Sequence, residues 1–342
     1  MKFKKLLLPL LSASLLVAPV TSSYATENRP EPAPGQTQEQ TAEPAPEQEQ
    51  TTSGEGTLSP SSENSDSVFG GTSTSAEPVT DEALQTILNQ VQGQLPADNG
   101  SWAVFISDLL NETEGSINDQ TMQAASLIKL YIMGAIYENY DQIISQYGKD
   151  SVDSNLYSMI TVSDNDAANT LTTYLGGGDS TAGRQAVDSF CQTHGYTKTH
   201  MGRMLLASNA QDDNYTSVGD CGHFLMEIYK EEESTYAHAT DMYNLLKAQT
   251  RQNKIPSQLP SGVKTANKTG ELDNVENDAG IIYDAPNDLV IVFMSQNLSS
   301  AGSAQNTIGS LSRTIYDYYN VCLQWSRRLP GKWSGCWQRH CR

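Results

Sequence analysis

Ala124-Ala125-Ser126-Leu127-Ile128-Lys129-Leu130-Tyr131 is the stretch on which the reading of this chain turns. Leu127, Leu130, Tyr131, Gly134 and Ala135 recur at helical spacing, so Ser126 opens a helix whose apolar face is buried. Lys129 follows Ser126 by three residues, which sets both side chains on one helix face. A serine hydroxyl is a poor nucleophile until its proton is removed. Burial disfavours a charged lysine, so a shielded Lys129 can take that proton.

Two further short motifs follow in order. Ser163-Asp164-Asn165 precedes Ala167-Ala168-Asn169-Thr170-Leu171, a helix start with capping residues ahead of it. Lys268-Thr269-Gly270 lies before the strand-like runs Gly280-Ile281-Ile282-Tyr283 and Leu289-Val290-Ile291-Val292-Phe293. Each motif alone is weak: a second Ser-x-x-Lys occurs at Ser261–Lys264, and Ser-x-Asn recurs at Ser62–Asn64 and Ser295–Asn297. The ordered triple in matching local context is the signal.

The chemistry that the triple can perform is acyl transfer onto Ser126. Lys129 is the base. Ser163 relays a proton to a leaving nitrogen, and Asn165 can bond both Lys129 and a substrate amide. Asp164 is expected to be a buried carboxylate that fixes its loop. Lys268 and Thr269 suit a substrate carboxylate, and Gly270 lets a substrate backbone approach the strand edge. A developing oxyanion needs two donors, for which the backbone N–H groups of Ser126 and Glu271 are the natural pair.

These motifs resemble the serine β-lactamase and penicillin-binding superfamily, and most closely its class A β-lactamase-like branch. The resemblance spans roughly residues 81–319. It implies the class A fold, and acylation of Ser126 by β-lactams or by D-Ala-D-Ala-like amides of a peptidoglycan stem peptide. Three departures accompany it. In Arg203-Met204-Leu205-Leu206-Ala207-Ser208-Asn209, Arg203 and Asn209 match the family pattern, but Leu205 stands where the family carries the Glu that activates the deacylating water. Deacylation is therefore expected to be slow. The interval from Ser126 to Ser163 is short, which implies a more open site. Asp278-Ala279 stands where a carboxylate-binding Arg often precedes the Gly-Ile-Ile strand, leaving that task to Lys268 and Thr269. D,D-peptidase-like chemistry, or a module that binds or senses wall peptides or β-lactams without hydrolysing them, are the alternatives.

Around this centre the chain divides into four parts. Lys2, Lys4 and Lys5, the apolar run from Leu6 to Val20 and Ser23-Tyr24-Ala25 read as a signal peptide over residues 1–25, so a secreted or cell-wall-associated location is expected. Residues 26–80 hold ten acidic residues and one basic one amid Pro, Gln, Ser and Thr, which cannot build a core and imply a disordered linker. Residues 81–320 form the hydrolase domain, read as a monomer. Residues 321–342 carry five Lys/Arg, no acid, and three each of Trp and Cys, and are read as a tail outside the fold.

Within the domain, the pattern predicts an α+β fold. A helix is expected over 81–95 and strands near 102–106, 264–270, 279–284 and 289–295, with a helical centre over 123–229 and a closing helix over 303–319. The N- and C-terminal segments would together make one antiparallel sheet with a helical lobe on it, and the cleft would lie between the two.

Several function classes are excluded or left without support. A formal net charge of −19 argues against nucleic-acid binding. No segment after the leader is long and apolar enough to span a membrane. No cofactor or metal is expected, and His-Glu-x-x-His is missing from the sequence; Gly-x-Ser-x-Gly is missing too, so an α/β-hydrolase nucleophile elbow has no support. Cys191-x-x-His194 and Cys221-x-His223 have ligand-like composition, but in a secreted chain a Cys191–Cys221 disulfide is favoured over free thiols or zinc.

Overall fold

The computed structural model describes residues 82–322. The expected leader over 1–25, the linker over 26–80 and all but the first two residues of the basic Trp/Cys tail lie outside them.

The N-terminal segment supplies helix α1 (Glu82–Gln92) and strands β1 (Ser101–Asp108), β2 (Thr113–Ile117) and β3 (Met122–Gln123). The lobe follows with α2 (Ile128–Glu138), α3 (Tyr140–Tyr147), α4 (Lys149–Thr161), α5 (Asn165–Leu175), α6 (Ser180–Thr193), the short strands β4 (His200–Met201) and β5 (Asn214–Thr216), α7 (Val218–Tyr229) and α8 (Ala239–Lys247). The chain then returns to the sheet through β6 (Lys264–Leu272), β7 (Val275–Tyr283) and β8 (Leu289–Gln296), and α9 (Ala301–Asp317) closes the domain.

The principal sheet has the order β2-β1-β8-β7-β6, and its pairings are all antiparallel. Strand β1 from the N-terminal segment is thus zipped to β8 from the C-terminal one, as the sequence implied. β6, which carries Lys268-Thr269-Gly270, forms one edge. A small second sheet, β3-β5-β4, was not foreseen, because strands of two or three residues leave no periodic trace.

Alternation along the sheet explains why its strands read as continuous apolar runs. Trp102, Val104 and Ile106 of β1 and Leu289, Ile291 and Phe293 of β8 pack with α1 and α9. Ala103 and Phe105, with Val290, Val292 and Met294, pack against the lobe. Both faces are therefore covered, and period-2 alternation serves two cores at once. On α1 the face Leu84, Ile87, Leu88 and Val91 is buried, at the spacing that one helix stripe requires.

α2 departs from the expected one-sided burial. Each residue from Ile128 to Tyr137 is buried, as befits a helix at the centre of a lobe. Lys129 is therefore lifted out of water by the fold itself.

Candidate active site

Ser126 lies in a single 3-10 turn (Ala125–Leu127) that runs directly into α2. Ala125, just ahead of it, has φ 48°. Left-handed backbone at a residue with a Cβ costs on the order of 1–3 kcal/mol and tends to mark functional turns. Ser163 shares the property, with φ 63°. The next residue, Asp164, caps α5 by accepting the Ala167 N–H at 2.7 Å. Its side chain is exposed and not the buried carboxylate that was expected: capping needs only that the carboxylate reach back to the first turn.

The turn and the α5 cap meet at Lys129. Its Nζ lies 2.7 Å from the Ser163 carbonyl, 2.7 Å from Asn165 Oδ1, and 3.2 Å from each of the Ser126 and Ser163 hydroxyls. This geometry suits a neutral amine. Two N–H groups satisfy the two carbonyl oxygens, which can only accept, and the lone pair is left for a hydroxyl proton. Burial is the main cause that brings the Lys129 pKa down to about 7, with Asp164 opposing and Arg251 assisting.

Lys268 completes the centre from the sheet side. Its Nζ donates to Ser163 Oγ at 2.8 Å and to the Thr269 carbonyl at 2.6 Å. Lys268 and Thr269 are buried. Burial, followed by the neighbouring Lys129, Lys254 and Arg251, holds the Lys268 pKa well below the ordinary lysine range, while Asp278 works the other way. An incoming carboxylate would favour the charged form again.

Gly270 shows how closely the edge strand approaches the turn of Ser126. A Cβ there would fall 2.9 Å from the Ala124 carbonyl oxygen and 3.2 Å from the Ser126 nitrogen. Only a glycine lets β6 lie against the turn that holds Ser126. The amides of Ser126 and Glu271, expected as oxyanion donors, thus belong to two backbone segments in close approach. Asn277 on β7 ties the same turn to the sheet by donating to the carbonyls of Gln123 (2.9 Å) and Ala124 (3.2 Å).

The loop after β4 is closed by an ion pair: Arg203 Nε meets Asp213 Oδ1 at 2.7 Å, with both side chains largely buried. Asn209 reaches the other oxygen of Asp213 at 3.5 Å. Inside this loop Leu205 is buried, and Asn169 of α5 grips its backbone at both ends: the Leu205 N–H donates to Oδ1 at 2.8 Å, and Nδ2 donates to the Leu205 carbonyl at 3.0 Å. Position 205 is thereby fixed against the helix that begins at Asn165, with an aliphatic side chain that can neither donate nor accept a proton.

Reading the sequence missed the parts played by Asn169, Asp213, Asn277, Arg251 and Lys254. Arg251 is a half-exposed cation that pairs with Glu271 Oε2 at 2.7 Å and lowers the pKa of both Lys129 and Lys268. Asp278 is buried, accepts from Ile255 N–H and Asn267 Nδ2, and is raised to about 6 mainly by burial. The second Ser-x-x-Lys plays no part, because Lys264 is exposed and pairs with Asp284. The expected Cys191–Cys221 disulfide is corrected: both are free, buried thiols within the lobe core, and Cys221 Sγ accepts from Tyr131 Oη at 3.4 Å. No cluster of three or more His, Cys, Asp or Glu able to hold a metal occurs among the described residues. No described helix is long and apolar enough to cross a membrane.

A family model described as the beta-lactamase enzyme family matches residues 142–319, just over half of the chain. The chain belongs to the beta-lactamase enzyme family. The matched range holds Ser163–Asn165 and Lys268–Gly270 and begins after Ser126. No curated protein matches.

Solved structures give the same fold over a longer range. A beta-lactamase from Sphaerobacter thermophilus aligns with 19% identity and TM-score 0.58, over 68% of this chain and 96% of that one. An ancestral class A beta-lactamase aligns at 18% and 0.59, over 68% and 99%. PBP-A aligns at 21% and 0.60, over 69% and 96%. At such identity the likeness concerns the fold. Together with the family match, it makes the chain a serine hydrolase of the β-lactamase and penicillin-binding superfamily.

Proposed function

We propose that this chain works outside the cytoplasm and forms an acyl-enzyme at Ser126 with β-lactams or D-Ala-D-Ala-like amides of peptidoglycan, and that it releases the acyl group slowly. The observation that carries the reading is the placement of Lys129 Nζ 3.2 Å from both the Ser126 and the Ser163 hydroxyls, with Lys268 on the far side of Ser163 at 2.8 Å.

The proton has a continuous route. Neutral Lys129 takes it from Ser126 as Oγ bonds to the amide carbon. The carbonyl oxygen gains charge between the N–H groups of Ser126 and Glu271. As the carbon–nitrogen bond breaks, Ser163 hands its own proton to the departing nitrogen and recovers one from Lys129. Lys129 ends neutral and the atoms balance. Lys268 and Thr269, with the guanidinium of Arg251 nearby, supply positive charge and a hydroxyl for the substrate carboxylate.

Release is a separate problem, since a water must be deprotonated to attack the ester. Leu205 cannot do this, and a missing general base is worth about 10²–10⁴ in rate. A chromogenic cephalosporin mixed with the enzyme should therefore give a burst of one equivalent followed by slow turnover. Fast, linear turnover from the first point would refute slow release, and neither burst nor turnover in a folded protein would refute acylation. A D,D-peptidase-like activity shares the acylation half. The buried Leu205 favours a long-lived acyl-enzyme over an efficient lactamase.

A further inference from the structure

Lys254 has no part in the proton route, yet it is fully buried, and its Nζ lies among four oxygens. They are Glu276 Oε2 at 2.6 Å, Asn277 O at 3.0 Å, Glu271 Oε1 at 3.1 Å and Gly270 O at 3.3 Å. A buried lysine is costly to keep, and this one sits behind the end of the strand that carries Lys268-Thr269-Gly270.

The Gly270 carbonyl and the Glu271 N–H are two ends of one peptide unit. In an extended strand those ends point to opposite edges. The register shows this alternation: Gly270 is paired with Asn277, and Lys254 touches the carbonyls of both partners, whereas the Thr269 carbonyl, one residue earlier, is taken by Lys268 on the side of Ser163. The Glu271 N–H therefore leaves β6 on the edge that lies against Ser126, where Gly270 makes its closest approach.

We infer that Lys254 is a positioning residue for the oxyanion site, which polarises the Gly270–Glu271 peptide from behind and so strengthens the Glu271 N–H as a donor to the developing oxyanion. The inference rests on the acylation reading above and adds a residue to it. Hydrogen bonds in a chain strengthen one another in a low dielectric, and amide resonance passes the pull of a cation on the carbonyl through to the N–H. Lys254 also anchors the Glu271 side chain, whose second oxygen is held by Arg251, so the donor is fixed in direction as well as strengthened. Its counter-charge, Glu276, is buried and takes a further bond from Gln305 Nε2 at 2.9 Å, which keeps the ammonium fixed in place.

The test compares the wild-type enzyme with Lys254→Met, Lys254→Arg and the charge-neutral pair Lys254→Met/Glu276→Gln, which spares the fold an unpaired buried carboxylate. Benzylpenicillin carrying ¹³C at the lactam carbonyl is the probe. Stopped-flow acylation is split into initial binding and the first-order step, and the ester carbonyl stretch of the acyl-enzyme is read by infrared difference. The first-order step should fall about tenfold (about 1.4 kcal/mol) in both neutral variants, with initial binding within about twofold of wild type. The carbonyl band should move to higher wavenumber, as it does when a donor weakens, and Lys254→Arg should restore most of both readouts. A folded neutral variant with the wild-type rate and band position overturns the role of Lys254 alone. Wild-type protein that forms no adduct overturns the acylation reading, and this inference with it.

Discussion

Asn169 holds Leu205 by both its N–H and its C=O, so the backbone of the loop closed by Arg203 and Asp213 is locked to α5 irrespective of the side chain at position 205. The fold has kept the support for a residue at this point while placing there a group with no acid–base chemistry.

Leu205→Glu is therefore expected to add a function without rebuilding the loop. Burst amplitude should stay at one equivalent, while steady-state hydrolysis of a chromogenic cephalosporin rises by about 10² or more, the usual worth of a general base. A burst and a steady-state rate both equal to those of the parent would show that the loop does not present position 205 to the acyl-enzyme.

Acylation should depend on pH through Lys129. Burial depresses its folded-state pKa from the ordinary lysine value to about 7, so the neutral base predominates above pH 7 and is lost as the pH falls. The first-order acylation rate should drop about tenfold per pH unit below 7 and level off above it. Stopped-flow traces between pH 5 and 9 will check this. A rate still climbing from pH 8 to 9 would mean that Lys129 is charged in the resting enzyme.

The thiols should be silent. Cys191 and Cys221 are buried and unpaired, and burial pushes Cys221 up to about 12 and raises Cys191 further. Little thiolate then exists at neutral pH to react. A thiol reagent should label neither in the folded state and both after denaturation, and a reductant should leave the Tm contribution of this lobe unchanged. A Tm fall of several degrees in reductant would reinstate the disulfide.

Much of this was legible in the residues because the signals were local. Ser126 and Lys129 are one helical turn apart, Asp164 precedes the helix it caps, and the apolar runs of β1 and β8 announce strands of one sheet. What escaped reading depends on partners distant in the chain or on backbone groups, which have no residue type. Asn277 acts on carbonyls 153 and 154 residues away, and Asn169 on a backbone 36 residues on. Lys254 resembles any surface lysine until β6 and β7 fold over it. The disulfide expectation failed because Cys191 and Cys221 are placed by helix packing in α6 and α7, where a small apolar side chain suffices.

The central claim is that Ser126 becomes acylated through Lys129, and intact-protein mass spectrometry after incubation with benzylpenicillin tests it most directly. Ring opening expels no fragment, so the wild-type mass should increase by one whole penicillin, on a peptide containing Ser126, and Ser126→Ala should gain nothing. Wild-type protein of unchanged mass at early and late times, or an adduct that persists in Ser126→Ala, would contradict it.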